Sequence, residues 1–153
     1  MVRLPTSTDH GAYGSLRPVL TKTLVVDGIT PVGAYASLRG GAGAGAFLLE
    51  SVVAGERWGR YSILGYRPRS QVVVHPSGAE DPYAQLSRLI PTGADADPDV
   101  ARRFARSHVG LVAYDVVHYA TKVEPWPGFD DPVARFVGDA TVIVFDNLRH
   151  TAT

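Results

Sequence analysis

The stretch Phe47 to Pro68, FLLESVVAGERWGRYSILGYRP, decides how this chain is read. Phe47-Leu48-Leu49 is an apolar run ending in Glu50-Ser51. Val52-Val53 leads into Ala54-Gly55-Glu56, and Arg60-Tyr61-Ser62-Ile63-Leu64 starts a second run before Gly65. Short apolar runs bounded by turn residues suit buried strands, and a Gly-bearing gap between two of them suits a hairpin or a longer loop. Glu50 and Arg60 then stand where a core strand is expected to be apolar. A buried charge without a partner costs on the order of several kcal/mol, so each requires a mate, either the other charge or a ligand. Trp58 and Tyr61 read first as packing anchors.

Upstream, Arg17 to Val26 is rich in Val, Leu and Thr and predicts a strand closed by Asp27-Gly28. Thr30-Pro31 is an N-cap and first-position pair for a short helix, with Val32, Tyr35, Ala36 and Leu38 on one apolar face and Gly40-Gly41 at its end. Residues 1–16 are polar and Gly-punctuated and read as a flexible leader, leaving 17–153 as one domain. Gly41, Gly43 and Ala46 fit G-x-G-x-x-A. They follow a helix and precede a strand, the reverse of the order in which a helix N-terminus meets a pyrophosphate, so they read as a linker.

Downstream, Ser70 to His75 predicts a third strand. Asp81-Pro82 opens a helix with Tyr83, Leu86 and Leu89-Ile90 at helical spacing, and Pro91 stops it. Thr92 to Pro98 is loop. Pro98 to Arg106 is a short basic helix whose arginines read as a solvated face. His108 to Ala113 is a strand running into a helix over Tyr114 to Ala120. Val123 to Pro132, with three prolines and Trp126, is an irregular loop, and Ala134 to Phe145 is a strand broken near Gly138-Asp139, with Arg149 to Thr153 extending it. Six or seven strands with three or four short helices and short links predict an α+β domain of mostly antiparallel, sandwich-like sheet.

Composition narrows the function. The 153 residues are 45% apolar and carry 15 basic against 15 acidic side chains, so no overall field favours nucleic acid or an anionic membrane. No run approaches a membrane span and no secretory leader is visible, which makes the cytoplasm the expected location. Cysteine is absent, and the five histidines show no metal-ligand spacing. There is no P-loop and no G-x-S-x-G elbow. Asp130-Asp131 and Glu80-Asp81 sit beside prolines, where carboxylates cap turns. No catalytic residue is assigned.

Leu48-Leu49-Glu50-Ser51 followed by Gly55-Glu56-Arg57-Trp58-Gly59-Arg60-Tyr61-Ser62 resembles the N-terminal domain of anthranilate synthase component I. The resemblance extends through Thr30-Pro31-Val32, Val109 to Asp115 and Ala140 to Asp146. It implies a regulatory role in tryptophan biosynthesis: a feedback site for L-tryptophan in this domain, packed on a chorismate-binding domain that carries catalysis and Mg2+ and lies outside these 153 residues. Carried over by position, the tryptophan-binding candidates are Glu50, Ser51, Arg60, Tyr61 and Ser62, with Pro31 at the helix start. The implied partners are that domain and the glutamine amidotransferase subunit, with self-association of an uncovered apolar face. No cofactor is expected in the chain itself, and it is expected to make no anthranilate alone. Two other readings stay open: a stand-alone amino-acid sensor or interaction module, and the equivalent domain of aminodeoxychorismate synthase or a secondary-metabolite anthranilate synthase.

Overall fold

The computed structural model describes residues 18–40, 45–53, 57–76, 81–90, 98–121, 123–124, 127–128 and 130–153, without the side chains of 52, 53, 57 and 58. The leader, Arg17, Gly41 and Gly43, the Gly55 turn, the Trp58 side chain, Glu80, Pro91, most of the following loop and Trp126 lie outside the described residues.

Phe47 to Pro68 forms the two strands its pattern predicts. Strand β2 (Phe47–Val53) pairs antiparallel with β3 (Arg57–Tyr66), Phe47 opposite Gly65 and Glu50 opposite Ser62. Beyond Glu50 the register shifts, and Val52 faces Trp58. Ser51 therefore stands alone opposite Gly59, Arg60 and Tyr61, an irregularity of the kind that bends a strand and re-aims its side chains. Gly59 permits it: a Cβ there would collide with the Ser51 side chain and carbonyl. Gly65 has a similar role, since its missing Cβ leaves room for the Phe47 ring.

The remaining elements are β1 (Leu24–Val25), α1 (Pro31–Arg39), β4 (Ser70–Val74), α2 (Pro82–Ser87), α3 (Val100–Ala105), β5 (Val109–Val112), a 3-10 turn (Tyr114–Val116) leading into α4 (Val117–Ala120), β6 (Ala134–Gly138), β7 (Thr141–Asp146) and β8 (Thr151–Ala152). They build a five-stranded sheet in the order β1-β8-β7-β3-β2 and a three-stranded sheet in the order β4-β6-β5. All pairings are antiparallel, which makes the fold α+β.

One bent ribbon joins the sheets. The β3–β7 ladder ends at Tyr66 opposite Thr141, and the β4–β6 ladder begins at Ser70 opposite Gly138. At the corner Arg67 and Asp139 take φ values of 50° and 51°, and the Arg69 amide donates to the Gly138 carbonyl at 3.2 Å. The predicted break near Gly138-Asp139 is thus a change of sheet.

Strand alternation sorts the five-stranded sheet into two faces. Ile63 and Val144 pack with Ala101 of α3 and, partly buried, Phe47, Tyr61, Phe104 and Val142. Ser62, Leu64 and Phe145 point the other way, toward the face on which α1 packs. A second core of Val74, Val133 and Ala134, with Leu86 and Phe136, lies against the smaller sheet.

Three expectations are corrected. The strand over Arg17 to Val26 shrinks, among the described residues, to Leu24–Val25, because its partner there, β8, is itself two residues long. Arg149 to Thr153 does not extend β7: residues Asn147 to His150 turn, with His150 at φ 53°, and β8 returns beside β7. The described residues hold eight strands, one or two more than expected. Helix α1 forms between its predicted limits, yet none of its residues is fully buried.

Candidate functional site

Helix α1 starts where the chain dictates. Thr30 is extended, its hydroxyl accepts from the Gly33 amide at 3.1 Å, and Pro31 occupies the first turn, where a missing amide costs nothing. This fixes Pro31 and Val32 above the sheet. Between them and the strand ends lies a cavity of about 490 Å³.

Glu50, Ser62 and Phe145 form its sheet wall, Val26, Asp27, Ile29, Pro31 and Val32 its opposite wall, and Asp146, Asn147 and His150 its end. Three of the six candidates, Pro31, Glu50 and Ser62, are thereby brought together although 31 and 62 lie far apart in sequence. Adjacent strands explain the pair: Glu50 is the register partner of Ser62. Ser62 is 4% exposed, whereas Glu50 is solvent-exposed.

The other three candidates are elsewhere. Ser51, exposed, sits over Gly59 in the register shift. Tyr61 belongs to the α3 face and packs against the Ile63 core. Arg60 is 44% exposed, and its guanidinium lies 4.8 Å from the centre of the Tyr61 ring. Its mate is not Glu50. Arg60 donates from Nε and Nη2 to one carboxylate oxygen of Asp146, at 3.2 and 2.9 Å. The other Asp146 oxygen accepts from the Leu148 and Arg149 amides at 3.1 and 3.2 Å.

Asp146 thus caps its own turn and anchors the irregular part of β3 together. The Arg60 hydrogen bonds, with help from the two amides, hold its carboxyl below the ordinary aspartate range, and the same contact raises Arg60. Asn147 completes the clasp. Its amide donates to the Arg60 carbonyl at 2.8 Å, and its side-chain nitrogen donates to the Gly59 carbonyl at 3.0 Å and to the Ser62 hydroxyl at 3.2 Å. The Ser62 hydroxyl, held from one side, keeps its own proton for a neighbour.

Asp146 and Asn147 are site residues that sequence reasoning missed. An Asp-Asn pair after an apolar strand signals a turn. Nothing in the sequence links it to Arg60, 86 positions away.

Chemically, the cavity joins an apolar wall of Val26, Ile29, Val32 and Phe145 to the acids Asp27, Glu50 and Asp146. Its volume falls in the range of small-molecule sites. Arg60 and two amides already occupy Asp146, so Asp27 and Glu50 are the carboxylates that favour an ammonium group, and the apolar wall favours a hydrophobic body. Among the described residues no three His, Asp or Glu side chains are grouped to hold a metal ion. No helix there is long and apolar enough to cross a membrane.

No family model matches the chain. Its relatives are more informative. Anthranilate synthase component 1 of Pseudomonas putida is 35% identical over 157 residues, covering 90% of this chain and 31% of that protein. The chain is homologous to the N-terminal region of anthranilate synthase component 1. The component 1 of Pseudomonas aeruginosa is 33% identical over 156 residues, with the same coverage, and a probable component 1 from Schizosaccharomyces pombe is 32% identical over 128 residues, covering 82% of this chain and 25% of that protein. The chain spans between a quarter and a third of the length of these anthranilate synthase components. The homology bears out the resemblance carried by Leu48 to Ser62.

Proposed function

We propose that this chain is a regulatory domain that binds L-tryptophan, the end product of the pathway that anthranilate synthase serves, in the cavity between α1 and the β2–β3–β7 strand ends. One observation supports the reading: the fold gathers Pro31, Glu50 and Ser62 from three separate elements around one cavity of about 490 Å³. In this reading Glu50 receives the ammonium, the Ser62 hydroxyl donates to the carboxylate, and Ile29, Val32 and Phe145 take the indole. Arg60 acts at a distance, through Asp146, on the shape of the wall. The domain packs on a chorismate-binding domain that performs the lyase chemistry with Mg2+, in an assembly with a glutamine amidotransferase subunit.

Calorimetric titration with L-tryptophan tests this, with L-phenylalanine as control and Glu50→Gln as a second protein. Selective, saturable binding that weakens by roughly tenfold or more in the variant, the scale of one charge-assisted hydrogen bond, is expected. Equal affinity of wild type and Glu50→Gln, or no binding up to about millimolar tryptophan, contradicts it.

A further inference from the structure

A second cavity, of about 680 Å³, lies between the segment preceding β1, the end of α3 and strand β7. Its charge is opposite to that of the first. Lys22, Arg69 and Arg106 line it, and Asp139 is the one acid among its described lining residues. The three cations come from three separate places: the extended chain before β1, the bent corner after β3, and the residue capping α3. Among the described residues Lys22 and Arg69 have no ion-pair or side-chain hydrogen-bond partner.

Much of the rest of the wall is apolar: Ala101 and Ala105 of α3 and Val142 of β7 line it, with Ile143 at its border. Arg106 has an interaction of its own, so the surplus of positive charge in this concavity rests on Lys22 and Arg69 against Asp139, in a chain whose basic and acidic residues balance. A cleft lined by one sign of charge with low-dielectric walls concentrates ligands of the other sign. We propose that this cavity binds a small organic anion, a carboxylate or phosphate ester with an apolar body. Arg69 and Lys22 grip the anionic group, Arg106 flanks it, and Ala101, Ala105 and Val142 hold the body. The site is independent of the acidic cavity, which involves none of these residues.

The test uses the full chain, 15N-labelled, titrated with phenyl phosphate, inorganic phosphate and benzyl alcohol at low ionic strength. Phenyl phosphate is expected to bind saturably and to move amide signals of Lys22, Arg69, Ala101 to Arg106 and Thr141 to Ile143. Inorganic phosphate, without the body, and benzyl alcohol, without the charge, bind more weakly. Arg69→Gln and Lys22→Gln, both at exposed positions, each weaken phenyl phosphate by roughly tenfold while the spectrum stays folded. Benzyl alcohol binding as well as phenyl phosphate, affinity unchanged in both variants, or shifts confined to other surfaces would overturn the proposal. High salt lowers the affinity if charge carries it, and an affinity indifferent to salt also counts against it.

Discussion

At residue scale, the account turns on Asp146 and Gly59. Asp146 is 12% exposed and accepts four hydrogen bonds, two of them from Arg60. Asp146→Asn is expected to cost about 1–2 kcal/mol at neutral pH, the lower part of the range for charged hydrogen bonds because Arg60 is half exposed. The pH dependence follows from the lowered carboxyl. Its stabilisation is fully present above the unfolded value of about 3.9 and is lost as pH falls through the lower folded value. Urea denaturation of both proteins should show a gap at pH 7 that closes as pH drops below about 4. A pH-independent gap contradicts the pairing. Gly59→Ala places a Cβ against Ser51, and a loss of about 1–3 kcal/mol is expected from the overcrowding. A neutral result in the same assay shows that the register shift is not built on this glycine.

At the scale of elements, the cap of α1 and the β7–β8 turn shape the cavity. Thr30→Ala removes the acceptor for the Gly33 amide, with an expected loss of about 1 kcal/mol. Because the same cap places Pro31 and Val32, tryptophan affinity falls with it, and calorimetry on the folded variant checks the link. These elements also show what the sequence discloses. Thr30-Pro31, Asp81-Pro82 and the apolar runs on either side of Gly55 are local signals, and their elements start where local chemistry puts them, although α2 ends at Ser87 and leaves Leu89-Ile90 outside the helix. The strand Arg17 to Val26 failed because strand length is set by the partner, and β8 supplies only two residues. The Arg60–Asp146 pair was illegible for a related reason: Glu50 is nearby in sequence, whereas Asp146 becomes a neighbour only once β7 pairs with β3. Strand alternation by itself sends Ser62 and Tyr61 to opposite faces, so a motif that names both cannot place both at one site, and only the packing of α1 and α3 shows which face holds which cavity.

At the scale of the molecule, the five-stranded sheet lines two cavities with no residue in common, and the smaller sheet leaves β5 as an edge strand with Leu111 and Val112 59% and 45% exposed and Tyr114 beyond it 86% exposed. Apolar surface on an edge strand invites association. Sedimentation should show concentration-dependent self-association that Leu111→Lys reduces, and a single monomeric species at every concentration contradicts this. The purified chain is expected to yield no anthranilate from chorismate with Mg2+ and ammonia, which a fluorescence assay for the product checks. The most direct measurement is a 15N–1H spectrum of the chain titrated with L-tryptophan. Shifts confined to Asp27 to Val32, Glu50, Ser62 and Asp146 to His150 are the predicted result. No shifts, or shifts centred on the α3 face around Tyr61 and Ala101, would contradict the placement of the amino-acid site under the start of α1.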